Sequence, residues 1–235
     1  MVFSQPLIDA TLVRRYKRFL ADVRFSTGEV TTIHTPNTGS MLGCADPGNR
    51  IWVSDSQKPA RRYRHTWEIS ETTDGVLVGV NTALANRLVR EAIESGIAAE
   101  LQGYDRIRPE IRYGERNSRI DLLLDRNGRP PLCFVEVKNV TAAVNNIAIF
   151  PDAKSLRAVK HMEELMAMRR QGHRAVVFFC VQRNDVREFR PADGIDPRYG
   201  AALREAIHSG VEALAYQAHV THTGIHLMRR LPVLV

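Results

Sequence analysis

The chain has 235 residues, of which 44% are hydrophobic and 25% charged, as is typical of a globular protein with one large or two small domains. Thirty-three lysines and arginines against 26 aspartates and glutamates give a formal net charge of +7. A surplus of positive charge attracts polyanions, of which nucleic acid is the commonest; a basic protein without such a partner is the alternative.

Cysteine usage and hydropathy indicate the compartment. Cys44, Cys133 and Cys180 are odd in number and form no Cys-x-x-Cys pair, which argues against a disulfide framework and favours a reducing compartment. The first fifteen residues lack the pattern of a signal peptide, and no apolar run approaches the roughly 20 residues of a membrane span. We expect a cytoplasmic protein with no membrane partner, and no feature indicates a protein partner.

The first part of the chain consists of short β-like runs separated by turn residues. We predict strands in residues 10–25, 29–34, 50–54, 63–70 and 75–80. About five short strands in some eighty residues favour a small barrel of the OB type over residues 1–82, with a sandwich fragment as the alternative.

The pattern changes near residue 82, where helices begin to alternate with strands. We predict helices at 83–101, 155–171 and 197–209, strands at 118–125 and 132–140, a buried central strand at 175–181, and edge strands at 211–220 and 225–231. Residues 83–235 therefore form an α/β domain.

One predicted hairpin carries the most informative residues. Because strand side chains alternate between faces, Glu136 and Lys138 share one face of their strand. A loop at 126–131, with Asn127 and Gly128 in left-handed conformations, would pair residue 125 with 132, 123 with 134, and Asp121 with Glu136. That register brings Asp121, Glu136 and Lys138 together.

Two carboxylates and a lysine in this arrangement suit phosphodiester chemistry. The acids can hold Mg²⁺ or Mn²⁺ while leaving positions for water and a phosphate oxygen, and the metal activates the water. The lysine can orient that water or neutralise the phosphate. A solvated sheet face with a weak ion pair is the alternative.

Several motifs resemble the sugar fermentation stimulation protein A (SfsA) family. They are the runs 116–121, 134–141 and 150–153 in the second half, 15–19, 37–41 and 61–62 in the first half, and the ending 231–233. The resemblance covers essentially the whole chain. This chain differs from the family pattern at Leu156, close to a position where the family usually has an acidic residue. That difference puts a ligand role at this position in doubt.

The resemblance implies an N-terminal OB-like barrel followed by a PD-(D/E)XK nuclease-like domain with a mixed sheet. In that fold the catalytic residues would be Asp121, Glu136 and Lys138. The family is described as binding DNA without sequence specificity and as regulating sugar (maltose) utilisation genes.

Basic residues interleaved with aromatic ones point to a nucleic-acid surface on the barrel. OB barrels hold backbone phosphates with such residues and stack bases on the rings. A solvated charged strand is the alternative. The predicted contacts are Arg15, Lys17, Arg18, Arg61, Arg62 and Arg64, together with Lys138 of the second domain.

Three further features have two interpretations each. The loop 37–40 is either a phosphate-binding nest or a tight turn. Asp152 is either the N-cap of the helix that follows or a further metal ligand beside Asp121 and Glu136. Glu91 is either another site acid or, as we favour, a solvent-facing residue. The spacing of His219, His222 and His226 fits no zinc site.

Two functions of different class follow. The first is a DNA-binding protein with little sequence preference, and the second is a Mg²⁺- or Mn²⁺-dependent nuclease. An RNA partner is also compatible with an OB-like barrel.

Overall fold

In the computed structural model the described residues are 1–58, 60–114 and 118–235, so Arg116 and Asn117 of the SfsA-like motif lie outside the described part. The described residues form fifteen strands and three α-helices. In chain order they are β1 (Ile8–Tyr16), β2 (Leu20–Phe25), β3 (Val30–His34), β4 (Arg50–Asp55), β5 (His65–Glu71), β6 (Leu77–Gly79), α1 (Ala85–Glu94), β7 (Arg106–Tyr113), β8 (Ser118–Arg126), β9 (Arg129–Val140), β10 (Ala143–Val144), β11 (Ile147–Phe150), α2 (Leu156–Arg170), β12 (Arg174–Val181), β13 (Glu188–Pro191), α3 (Pro197–His208), β14 (Glu212–Thr221) and β15 (Gly224–Leu231).

The first five strands form a closed barrel, as predicted. Their order is β3-β2-β1-β4-β5, and a pairing of His34 in β3 with Thr66 in β5 closes it, while β6 extends β5. Inward-facing Leu12, Ile33 and Trp67 are fully buried at its centre. Such large apolar side chains fill the interior of a small barrel.

The prediction of one continuous run over residues 10–25 is wrong, because the chain turns sharply inside it. Lys17 and Arg18 have φ of 49° and 65° and connect β1 to β2. Two consecutive left-handed residues match the twist of antiparallel strands, but asparagine and glycine normally occupy them. No such residue marks this turn in the sequence.

The second domain is built on a mixed sheet in the order β15-β14-β12-β9-β8-β7. Strand β12 is central and buried, as predicted, and pairs in parallel with both β9 and β14. The prediction that β14 is an edge strand is wrong, since it lies between β12 and β15.

The two faces of this sheet are covered by different elements. Helices α2 and α3 pack on one face, with Leu165 and Leu203 buried against Phe179. Helix α1 and part of the barrel pack on the other, where Leu88 and Trp52 are buried. The barrel is therefore joined to the sheet by a continuous apolar contact.

The helices begin and end largely where the sequence predicts. Ser155 and Asp196 cap α2 and α3 by accepting backbone hydrogen bonds, so the interpretation of Asp152 as the cap of α2 is wrong. The first helix is shorter than the predicted 83–101, because Gly96 has φ +80° and ends it just after Ser95.

Four strands were not predicted: β7, β10, β11 and β13. Strand β7 contains a proline and alternates charged residues with Ile107 and Ile111, so it lacks the apolar run of a buried strand. The other three have two to four residues each, too few for a periodic pattern. None of the helices among the described residues is long and apolar enough to cross a membrane.

Candidate functional site

The hairpin of β8 and β9 brings the predicted acids together. Leu123 pairs with Phe134, as expected from the sequence. The same ladder brings Asp121 beside Glu136, and the backbone N–H of Val137 donates to Asp121 Oδ2 at 2.7 Å.

The pairing at the turn of this hairpin differs from the prediction. The expected pairing of residues 125 and 132 is absent from the ladder, because β8 has an irregularity between Leu124 and Arg126. Asp125 turns inward instead, is fully buried, and accepts a hydrogen bond from the Gly128 N–H at 2.5 Å. Asn127 and Gly128 are left-handed, as predicted.

Lys138 completes the cluster. Its Nζ lies 2.7 Å from Glu136 Oε1, and both side chains are buried. His161, on α2, contacts the same Glu136 oxygen through Nδ1, which lies 2.9 Å from Lys138 Nζ. Arg157 Nε donates to His161 Nε2 at 3.3 Å.

Asp121 is the more weakly compensated of the two acids. Asn86, on α1, donates to its Oδ1 at 2.9 Å. Burial, together with the charge of nearby Glu136, raises the pKa of Asp121 to about 6, because the hydrogen bonds from Asn86 and Val137 only partly offset these effects.

Glu136 stays ionised for the opposite reason. Burial works against its charge, but Lys138 and His161 outweigh burial and lower the pKa of Glu136 below its ordinary value. Its second oxygen, Oε2, is buried and has no hydrogen-bond partner among the described residues. A buried carboxylate oxygen without a donor is a position that a cation can occupy.

Asp152 has a different partner from the one predicted. Its Oδ2 accepts a hydrogen bond from the Met41 N–H at 2.9 Å, in the loop after β3. Among residues 1–58, 60–114 and 118–235, no three histidine, cysteine, aspartate or glutamate side chains are arranged around one metal position. The structure therefore does not bring Asp152 to Asp121 and Glu136 as a third ligand.

The backbone carbonyls of the loop 37–40 hold Arg15. The Gly39 N–H donates to Asn37 Oδ1 at 2.9 Å, and the Arg15 guanidinium donates to the carbonyls of Asn37 and Gly39 at 2.8 Å each. Arg15 is thus engaged by backbone carbonyls, and Arg64 is held by three hydrogen bonds to Asp55 of 2.8, 3.0 and 2.5 Å.

The other predicted basic contacts on the barrel are exposed, whereas Lys138 of the second domain is buried. In the part of the chain that the structure describes, Lys17, Arg18, Arg61 and Arg62 make no ion pair with a carboxylate. Phe19 is 48% exposed beside Lys17 and Arg18, so its ring does not lie in the core.

These residues occupy two neighbouring loops. The carbonyl of Phe19 accepts a hydrogen bond from the Thr35 N–H, just after β3. On the other side of β3, burial and the charge of Arg61 lower the pKa of His34. The β1–β2 turn and the loop before β5 therefore both lie near the C-terminal end of β3, and we call Lys17, Arg18, Phe19, Arg61 and Arg62 the basic end.

The structure adds four residues that sequence reasoning did not assign to the site. They are Asn86, Tyr113, His161 and Glu164. The spacing of His161 and Glu164, three residues apart on a helix, is a signal that could have indicated a shared face. Glu91 of α1 does not join the acids, since it pairs with the amino group of Met1 and with Arg87.

Family comparisons agree with this architecture. The SfsA N-terminal OB domain matches residues 13–80, and the sugar fermentation stimulation protein RE domain matches residues 83–224. The chain belongs to the SfsA family. Among relatives called sugar fermentation stimulation protein homologs, one from Thioalkalivibrio sulfidiphilus is 58% identical, over 99% of this chain and 98% of its own length. One from Geobacter metallireducens is 56% identical over the full length of both.

A solved SfsA structure has the same fold. SfsA from Pyrococcus furiosus, in complex with Ca²⁺, is 29% identical, with a TM-score of 0.89 over 100% of this chain and 98% of its own. Both domains of the SfsA family are therefore present here in the same arrangement.

The acids of this SfsA-family chain are chemically suited to a hard divalent cation. Mg²⁺ and Mn²⁺ prefer oxygen ligands, and Mg²⁺ is commonly held by one or two carboxylates together with water. Asp121 and the unpartnered Oε2 of Glu136 supply two such ligands. Lys138 stands beside them, where it can meet an anionic group brought by the metal.

Proposed function

We propose that this SfsA-family protein binds DNA mainly through its phosphates and with little sequence preference. The proposal is supported by the basic end, where four cationic side chains and the exposed ring of Phe19 lie near the C-terminal end of β3 on an OB barrel. Cationic groups bind phosphates, and an exposed aromatic ring can stack on any base without sequence specificity. Arg15 and Arg64 contribute charge but are held by protein partners.

Salt dependence tests this proposal. Each neutralised phosphate releases counterions, so the logarithm of the binding constant falls by about 0.9 per tenfold rise in salt for each contact. We expect a steep slope and similar affinities for duplexes of unrelated sequence. A flat titration, or strong preference for one sequence, would contradict the proposal, and competition with RNA of the same length distinguishes the two polymers.

A second function, metal-dependent cleavage of DNA, is supported by the unpartnered Glu136 Oε2 next to Asp121. Asp121 and Glu136 would hold Mg²⁺ or Mn²⁺, which lowers the pKa of its water and stabilises negative charge on the phosphate. Lys138 lies at hydrogen-bonding distance from Glu136, where it can neutralise the phosphate that approaches the site. The second domain would then be a PD-(D/E)XK nuclease-like domain, as the resemblance implies.

Cleavage assays test the second function. Single-stranded, nicked and branched DNA are incubated with the protein and Mn²⁺, and the Asp121→Ala variant is run in parallel. We expect cleavage by the wild type only. Cleavage that persists in the variant indicates a contaminating nuclease, and no cleavage by either leaves DNA binding as the function.

From the name that its relatives carry, we further propose that the protein acts on the expression of sugar-utilisation genes. Deletion of its gene, followed by transcript measurement during growth on different sugars, tests that role. Unchanged transcripts in the deletion strain would contradict it.

A further inference from the structure

Two arginines face each other across strands β7 and β8. Arg112 pairs with Arg119 in the register of these strands, and both residues are exposed. Side chains at directly opposed positions of antiparallel strands are close neighbours, and two like charges there destabilise the folded state. Across the described chain, neither guanidinium forms an ion pair with a carboxylate. The folded protein therefore keeps two uncompensated positive charges side by side.

A change of direction in β7 decides which face of the sheet Arg112 occupies. Residues four apart in a regular strand lie on the same face. Ile107, however, packs in the apolar cluster beside α1, whereas Ile111 packs in the cluster beside α2 and α3. Between them Glu110 has a φ of 55°, which turns the strand over. Arg112 follows Ile111 and so lies on the face that carries α1.

The same face holds one edge of the acid cluster. Asn86, on α1, donates to Asp121 Oδ1 at 2.9 Å and to Glu110 Oε1 at 3.4 Å. Ile120 is buried on the α2 and α3 side, so its neighbour Arg119 lies on the α1 side. Two residues of β8 separate Arg119 from Asp121 by about 7 Å along the strand. The arginine pair is thus a neighbour of the candidate site.

We propose that Arg112 and Arg119 together hold one backbone phosphate of bound DNA, next to the stretch that reaches Asp121. This inference rests on the proposed DNA binding and extends it from the barrel to the sheet domain. A phosphate between the two guanidinium groups replaces their repulsion with charge-assisted hydrogen bonds. Phosphates of one strand recur every ~3.4 Å along the helix axis, so one within two nucleotides of the acids can meet the pair.

Salt-dependent DNA binding tests the inference. The double variant Arg112→Ala/Arg119→Ala loses one phosphate contact, so its salt slope should fall by about 1 and its affinity at least about tenfold. The control Arg24→Ala/Arg198→Ala removes two exposed arginines that also lack a carboxylate partner among the described residues. We expect the control to keep the wild-type slope. Equal slopes in the two double variants would overturn the inference.

Charge reversal separates a lost contact from misfolding. In Arg119→Glu the opposed charges attract, so without DNA this variant should melt at or above the wild-type temperature. Its affinity for DNA should nevertheless fall further than that of Arg119→Ala. A melting temperature below that of the wild type would show that the two arginines do not repel each other, and would count against the inference. Affinity equal to that of the wild type would also overturn it.

The outcomes distinguish this inference from the proposal on which it rests. A wild type that does not bind DNA removes both. A wild type with a steep salt slope that Arg112→Ala/Arg119→Ala retains keeps DNA binding and removes the contact on the sheet domain.

Discussion

Lys138 and Glu136 form a buried ion pair with 2.7 Å between Nζ and Oε1, in the interior of the candidate site. Replacing both partners of a buried ion pair by apolar residues changes the free energy of unfolding little. Removing only one partner leaves the other as an uncompensated buried charge. Here the remaining charge would be that of Glu136, with only His161 in direct contact.

We therefore predict that Lys138→Met destabilises the protein by about 3 kcal/mol or more, as is usual when one partner of a buried pair is removed. The double variant Glu136→Gln/Lys138→Met should recover much of that stability. Urea unfolding of both, with exposed Lys154→Met as the control, measures it. Purely additive effects would mean that the two side chains do not interact.

The basic end predicts a change in salt dependence. Arg61→Ala/Arg62→Ala removes two cationic groups, so the salt slope of DNA binding should fall by about 2, one for each phosphate that is no longer neutralised. Arg90→Ala/Arg204→Ala changes the net charge equally but removes arginines paired with Glu94 and Asp193. If both variants show the same reduction in slope, only overall charge matters and the basic end is not where DNA binds.

The close approach of Gly39 in the barrel domain to Asp152 in the sheet domain predicts that a substitution at Gly39 lowers stability. A Cβ at this position would be 2.5 Å from both Asp152 carboxylate oxygens, so Gly39→Ala must displace the acid that accepts from Met41. We expect the free energy of unfolding to fall by about 1.5–3 kcal/mol, the cost of one hydrogen bond to a charged group. Gly194→Ala, which adds a Cβ into open space, is the control. Equal stability of the two variants would contradict the role of this hydrogen bond.

Thiol reactivity tests the packing of both domains. Cys44, Cys133 and Cys180 are buried, and burial raises the pKa of each to about 12. The reactive thiolate is therefore scarce in the folded protein. A chromogenic disulfide reagent at pH 8 should label none of them until denaturant is added, when all three react. Rapid labelling of any cysteine without denaturant would show that its surroundings open easily.

Glu68 predicts a pH effect on stability. It is buried, and burial raises its pKa above 4.5, although Ser54 and Asn81 donate hydrogen bonds to it. The folded state therefore holds the proton more tightly than the unfolded state, and stability falls as pH rises from about 4.5 through the raised pKa. Glu68→Gln should lack this part of the pH dependence. Parallel stability curves for wild type and variant from pH 4 to 8 would contradict it.

The fold was predictable wherever local signals are strong. Gly172 and Gly210 mark the ends of α2 and α3, and the unbroken apolar run of β12 marks the centre of a parallel sheet. The β1–β2 turn at Lys17 and Arg18 was not predictable, because the surrounding fold imposes left-handed conformations on residues that carry no such preference.

Only the part of the site whose residues lie on two adjacent strands could be predicted from the sequence. Strand alternation and one hairpin register brought Asp121, Glu136 and Lys138 together from the sequence. His161, Tyr113 and Glu164 come from elements whose packing depends on the whole domain. The alternative use of Asp152, as an acceptor for Met41, depends on contact between the domains and is invisible in the sequence.

Hydrogen bonds around the end of β6 hold the barrel to the sheet domain. Gln182, at the end of β12, accepts from the Gly79 N–H at 2.9 Å and donates to the Asn81 carbonyl at 3.4 Å. With the Asp152–Met41 bond, this gives the barrel two separate polar anchors on the sheet domain. The barrel is therefore held in a fixed position relative to the sheet domain, so the distance between the basic end and the acids Asp121 and Glu136 stays constant. A polymer bound across both, as proposed above, would always present the same position along its length to the acids.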